Sequence, residues 1–234
     1  MENLDREMIR KVFQCPFSTP VEAGHLELGL LPLSCIVKER RVNYLHYILK
    51  SEKSQMLYKF FTAQWETPTK HDWTETVKCD LIDLGIRNDL SYLESKTQIF
   101  FKNLVKARIK EFALDMLNES KYEHSKMDNL LFTELKIQEY LVAENISVEQ
   151  KRNILRFRTR MATFSENYRG QEPQKPCQIC GLHVDSQEHS VSCVKTMQNV
   201  NKNGKYCEIF SRNISCDTAV MLEQIMKNGQ NNLG

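Results

Sequence analysis

The amino-acid sequence predicts a mainly α-helical protein, and three observations carry that expectation. Apolar residues recur with a helical period from Ile36 onward. Helix start and stop residues stand at the ends of those stretches. No stretch shows the strong apolar–polar alternation of a half-buried strand.

The N-terminal segment is mixed, because Pro16, Pro20, Gly24, Gly29 and Pro32 interrupt it, and Leu26 to Leu33 is too short to classify. Val42, Leu45, Ile48 and Leu49 then share one helical face, opposite Lys38, Glu39, Arg40, Arg41 and Lys50. A second short helix is expected over Met56 to Gln64, with Leu57, Phe60 and Phe61 buried, ending at Thr67-Pro68. Asp72 and Glu75 form a start signal for a helix that runs to Leu84 and stops at Gly85. A longer helix is expected from Ser95 to Asn118, with Ile99, Phe100, Leu104, Val105, Ile109, Phe112 and Leu117 inward and Lys102, Lys106, Arg108 and Lys110 outward. Further helices are expected over Phe132 to Leu141 and from the Ser147–Gln150 capping box to about Met161. Residues 200–234 are rich in Asn and Lys and read as a polar tail, with a weak helix over Thr218 to Met226.

Lys plus Arg total 32 and Asp plus Glu 30, a net charge of +2, so charge alone implies no partner class. No apolar run approaches the ~20 residues of a membrane helix, so no membrane partner is expected. The longest run, around Leu26 to Val37, is broken by Glu27 and Pro32. The charged N-terminus has no signal-peptide core. The eight cysteines are therefore read as reduced thiols in an intracellular protein, and Asn118, Asn145 and Asn213 as unglycosylated. Cys15, Cys35, Cys79, Cys207 and Cys216 are scattered.

Cys177, Cys180, His189 and Cys193 are arranged as C-x2-C-x8-H-x3-C. A tight turn aims the first two thiolates at one point, with Gly181 free to take the positive φ such a turn needs. His189 and Cys193 share a face if helical. Three thiolates and an imidazole match Zn²⁺, and four protein ligands leave no open position, so one structural zinc is expected. His183 is a competitor for the third ligand but fits a shared helix with Cys193 less well.

Lys151, Arg152, Arg156, Arg158, Arg160 and Arg169 crowd one segment opposed only by Glu166, with Phe157, Phe164 and Tyr168 interleaved. Such a combination suits phosphate contacts and base stacking, although composition alone favours a solvated face over core aromatics. The proximity of the zinc ligands favours nucleic acid. Lys102, Lys106 and Arg108 form a weaker basic surface. Trp65 and Trp73 read as core anchors, Tyr44, His46 and Tyr47 as helix packing, and Asp80 and Asp83 as surface charges. No carboxylate pair for divalent ions, phosphate loop or nucleophile elbow is present, so catalysis by this chain is not expected.

The order of several motifs is similar to that in non-LTR (LINE-type) retrotransposon reverse transcriptases. Ser18-Thr19-Pro20-Val21-Glu22, Leu26-Glu27-Leu28-Gly29 and Arg40-Arg41-Val42-Asn43-Tyr44-Leu45-His46-Tyr47-Ile48-Leu49 resemble the segment leading from palm to thumb. Tyr58-Lys59-Phe60-Phe61-Thr62-Ala63-Gln64-Trp65 and Lys70-His71-Asp72-Trp73 continue the likeness. Phe157-Arg158-Thr159-Arg160-Met161, followed by the Cys/His motif with Asp185-Ser186-Gln187-Glu188-His189, resembles the C-terminal CCHC knuckle region. The resemblance covers roughly residues 15–195 and implies an RNA-directed DNA polymerase whose thumb grips the template–primer duplex and whose knuckle region binds RNA or DNA. The endonuclease and the palm with its catalytic aspartates have no counterpart here, so polymerase activity does not carry over. The chain looks like a C-terminal remnant of such a reading frame, or a truncated gene model.

The resulting expectation is a helical thumb-like bundle and a helical connector followed by a small zinc knuckle. Its parts are a palm/thumb junction (1–35), thumb-like helices (36–94), a connector with a basic helix (95–168), a linker (169–176), the knuckle (177–199) and the polar tail (200–234). Arg152, Arg156, Arg158 and Arg160 would contact phosphates of RNA or DNA, with Lys102, Lys106 and Arg108 adding to that surface. The family implies a nuclear location. A zinc-stabilised protein-interaction scaffold is the alternative, and a subunit whose palm comes from a partner polymerase chain is a third reading.

Overall fold

A computed structural model describes residues 2–13, 20–67, 69, 72–120, 127, 130, 133–162, 164, 175–177, 179–193, 204 and 206–230. Among them the chain is mainly α-helical and has no strand. The helices are α1 (Glu2–Phe13), α2 (Val21–Leu28), α3 (Leu33–Leu49), α4 (Met56–Glu66), α5 (Trp73–Asp83), α6 (Leu90–Ser95), α7 (Gln98–Glu119), α8 (Glu139–Val142), α9 (Val148–Arg158), α10 (Gln187–Ser192) and α11 (Cys216–Gln230), with a 3-10 helix at Tyr206–Phe210 before the last. Two compact units form, Met1–Asp5 with Leu31–Met116, and Arg6–Leu30 with Leu117–Gly234.

In the first unit α3 packs against α4, α5 and α6. Its buried face is Val42, Leu45, Ile48 and Leu49, joined by Cys35. Asp72 caps α5 by accepting the Glu75 N–H at 2.7 Å, and this bond is the main cause holding its carboxyl well below the usual range. Gly85 follows α5 at φ 60°, the left-handed region glycine favours. Asp80 is not a surface charge. It is buried on α5, accepts two hydrogen bonds from Arg41 of α3, at 2.7 and 3.1 Å, and lies 3.0 Å from Lys38.

Two expected faces hold in part. On α7 Val105, Ile109 and Leu117 are buried as expected, in line with Phe101 and Ala113, whereas Ile99 is 77% exposed and Phe100 52%. At about 100° per residue, Phe100 lies a quarter turn or more from the line through Phe101. On α4 only Phe61 is buried, against Trp65 at 5.4 Å and Trp73 at 6.2 Å, while Leu57 and Phe60 face solvent. Tyr44 and Tyr47 are also exposed, stacked 5.9 Å apart.

His46 is buried, stacked on Phe101 at 4.3 Å, and its Nε2–H donates to the Lys96 carbonyl at 3.2 Å. Burial and the nearby Lys50 charge depress its pKa, against the pull of the backbone acceptors. A histidine depressed in the folded state contributes stability that is complete above its ordinary value, 6.5, and declines as pH falls below it. His46→Gln keeps a donor for Lys96 but removes the titration. Urea unfolding at stepwise lower pH is expected to show a decline below about 6.5 in the native chain that is smaller in His46→Gln. Parallel pH profiles would exclude this role.

The second unit is built on α9, α11 and the 3-10 helix. Ile154 and Phe157 of α9 meet Leu222, Ile225 and Met226 of α11, closed by Tyr140, Ile146 and Ile209. The expected polar tail therefore contains a core helix. Its start is built by Ser215, whose hydroxyl accepts the Thr218 N–H at 3.3 Å and donates to Glu208 at 2.6 Å. The Ser147–Gln150 capping box begins α9 as expected. The helix ends at Arg158 rather than Met161, since Arg160 takes φ 51° and the Met161 N–H turns back to the Arg156 carbonyl at 2.7 Å. Of the helix expected over 132–141, α8 is the part found, and Phe132 lies outside the described residues.

The expected division at residues 35, 94 and 168 differs from the two units found, because N-terminal residues join the C-terminal unit. Ile9 and Val21 pack on Leu155. Gln138 N–H donates to the Glu27 carbonyl at 3.0 Å. Gly29 sits at φ 63°, where a Cβ would lie 2.3 Å from the Ile137 nitrogen, so glycine is required twice over. Glu27 is buried, and its carboxylate accepts from Arg158 Nε at 2.6 Å and Tyr140 Oη at 3.0 Å. Burial pushes that carboxyl up, with the Arg158 charge and both hydrogen bonds pulling against it. Most of the expected linker, residues 169–174, lies outside the described residues, as do 194–199 of the knuckle.

Candidate metal centre

The Cys/His segment folds through short backbone contacts. Pro176 and Val184 form an antiparallel bridge, Asp185 N–H donates to the Lys175 carbonyl at 3.0 Å, and Cys177 N–H to the His183 carbonyl at 2.5 Å. Within that loop Gly181 takes φ 73° and donates to the Cys177 carbonyl at 2.7 Å. This turn brings Cys177 and Cys180 to one side, as their spacing predicts. Ser186 starts α10 by accepting the His189 N–H at 2.9 Å. Cys193 N–H bonds the His189 carbonyl at 2.7 Å, which keeps both residues on one face.

The ligand atoms of Cys177, Cys180, His189 and Cys193 all lie within 4.8 Å of one another. Cys180 Sγ is 3.2 Å from His189 Nε2, which identifies the nitrogen turned to the centre. A tetrahedral ion with sulfur at about 2.3 Å and nitrogen at about 2.0–2.1 Å sets its ligands roughly 3.5–3.8 Å apart. The donor set thus fits a metal ion. Cys177 and Cys193 are buried, Cys180 and His189 half-buried. The Leu182 N–H, donated to Cys180 Sγ at 3.4 Å, is the main cause holding that thiol down to about 6, while burial pushes the Cys177 thiol up. His183 is not part of the cluster, although its ring lies 4.9 Å from that of His189.

The cluster is no isolated bead. Val191 of α10 packs on the α9/α11 core, Gln187 and Ser190 are buried, and Arg160 pairs with Glu188 at 3.2 Å. Of the other cysteines, Cys35 is buried, Cys79, Cys207 and Cys216 are exposed, and Cys15 lies outside the described residues.

The basic residues separate. Arg158 is withdrawn from the expected phosphate-binding set. Its side chain is 2% exposed and is spent on Glu27 and on the Ile209 and Ser211 carbonyls, at 2.8 and 2.7 Å. Arg152 and Arg156 are half-buried on α9, Arg152 lying 3.7 Å from Glu149. Arg160, beyond the helix end, no longer continues their stripe. Of the interleaved aromatics, Phe157 and Phe164 are core residues in edge contact at 6.1 Å, and Tyr168, Glu166 and Arg169 lie outside the described residues. Lys102, Lys106 and Arg108 are exposed on α7, Arg108 with Glu111 at 2.9 Å. The Glu27–Tyr140–Arg158 group was not foreseen, and its only signal was a carboxylate inside the apolar run at Leu26 to Leu33.

Among the described residues no helix is long and apolar enough to cross a membrane. Comparison with family models, curated proteins and solved structures finds no match.

Proposed function

We propose that the chain is a non-catalytic RNA- or DNA-binding module whose C-terminal unit is stabilised by one structural Zn²⁺ held by Cys177, Cys180, His189 and Cys193. The observation that carries this reading is the convergence of three thiols and one imidazole within 4.8 Å. Three sulfurs and one nitrogen suit zinc over harder cations, and four protein ligands leave no position for a substrate. The basic outer face of α7, with Lys102, Lys106 and Arg108 exposed, supplies the phosphate contacts, and Arg152 and Arg156 are a lesser contribution. The motif order described above supports descent from a LINE-type reverse transcriptase, in which a separate polymerase chain would have to supply the palm. A zinc-stabilised protein-interaction scaffold is the second reading, favoured by Met56 and Phe60, which are 81% and 61% exposed on α4.

The test is metal content together with binding to a labelled hairpin RNA over a salt series. One equivalent of zinc is expected, with affinity falling steeply as salt rises, by roughly 0.7–0.9 log units per log unit of salt for each phosphate contact. Lys102→Glu/Lys106→Glu is expected to flatten that slope by about two contacts. Zinc without any nucleic-acid binding at low salt would leave the scaffold.

A further inference from the structure

We infer that the start of α7, with α6 before it, is a stacking site for the unpaired bases of a single-stranded nucleic acid. The inference rests on the proposed nucleic-acid reading and specifies the strand it takes. Cations and aromatic rings alternate along this surface. The Arg87 guanidinium lies 5.1 Å from the centre of the Tyr92 ring, Lys96 Nζ lies 4.5 Å from that ring and 5.4 Å from the Phe100 ring. Lys102 and Lys106, also exposed on α7, lie about 160° and 120° around the helix from Phe100 and form a separate side. Phe100 leaves 52% of its surface to solvent although it sits on a helix whose neighbouring residue, Phe101, is fully buried.

An exposed aromatic ring beside a lysine has a ready chemical complement. A base stacks on the ring while a flanking phosphate meets the Lys96 ammonium, and the arrangement tolerates any base because every base has a π-face. A paired base within a duplex presents its edge rather than its face, so the ring selects unpaired strands. Of the nearby carboxylates, Asp89 offsets Arg87, whereas Glu94 is turned to Tyr58 and Lys53 and leaves Lys96 its charge. Asp89 is turned to the start of α6, accepting from the Ser91 and Tyr92 N–H groups at 2.8 and 3.3 Å, with Arg87 3.9 Å away. Glu94 accepts the Tyr58 hydroxyl at 2.8 Å and lies 3.9 Å from Lys53. The Lys96 ammonium therefore favours an anion, and the half-exposed Phe100 ring favours one with exposed bases.

The test compares a labelled oligouridine with a duplex RNA of equal length, using the full chain. The native protein is expected to bind the single strand more tightly. Phe100→Leu, which keeps an apolar side chain at an exposed position, is expected to weaken oligouridine binding about tenfold and to leave duplex binding unchanged. Phe100→Trp is expected to retain the affinity, with an emission that the bound strand quenches beyond any change at Trp65 and Trp73. If Phe100→Leu binds oligouridine as the native chain does, while Lys102→Glu/Lys106→Glu loses it, the stacking site is overturned and the nucleic-acid reading stands. If neither strand binds at low salt, both are overturned.

Discussion

Stripping the metal from Cys177, Cys180, His189 and Cys193 is expected to unfold residues 175–193 while leaving the first unit intact. Among its described residues the segment has one antiparallel bridge and one six-residue helix, and the most buried side chains there are ligands or their neighbours. So small a piece cannot offset its own ordering entropy by apolar burial. In zinc-finger peptides the metal supplies about 10–16 kcal/mol of apparent binding energy, nearly all of it folding energy. Here part of the work falls to Val191 against the α9/α11 core, so the loss is local rather than global. Hydrogen exchange after chelation should show protection vanishing at the α10 amides, including Cys193, and persisting in α3 and α5. Cys177→Ser or Cys193→Ser should reproduce this without chelator, whereas exposed Cys207→Ser should not. Unchanged α10 protection in metal-free protein would mean that backbone contacts alone hold the site.

The same segment shows what a sequence discloses and what it conceals. Its four ligands lie within seventeen residues of one another, and the turn, the glycine and the helical spacing that gather them are local properties. Capping is equally local, so Asp72, Gly85 and the Ser147–Gln150 box stand where residue types place them. The inward faces of α4 and α7 are a different matter, because each helix carries apolar residues on more than one side. Phe60 and Phe61, or Phe100 and Phe101, are adjacent and equally apolar, and only the packed neighbour decides which is buried. Charge is concealed in the same way. Arg41 finds Asp80 across 39 residues and Arg158 finds Glu27 across 131, so neither pairing leaves a local trace. A row of arginines in a sequence is therefore a list of cations, not yet a surface.

Arg158 makes that distinction measurable. Replacing it with Met is expected to destabilise the C-terminal unit by about 3–5 kcal/mol, since Glu27 is left buried without its countercharge. The Ile209 and Ser211 carbonyls lose their donor as well. Glu27→Gln is expected to cost less, because the guanidinium keeps both carbonyl acceptors. Glu27→Leu with Arg158→Met removes both charges together, and a buried ion pair exchanged for apolar side chains of similar volume is often neutral or stabilising. The double variant should therefore recover most of what Arg158→Met loses, a coupling that a double-mutant cycle in urea reads directly. A phosphate-binding Arg158 would behave in the opposite way. Met at this position would then leave the unfolding midpoint unchanged and reduce the salt dependence of RNA binding by about one contact. The buried geometry commits Arg158 to the first outcome, with nucleic-acid affinity at low temperature unaltered as long as the unit remains folded.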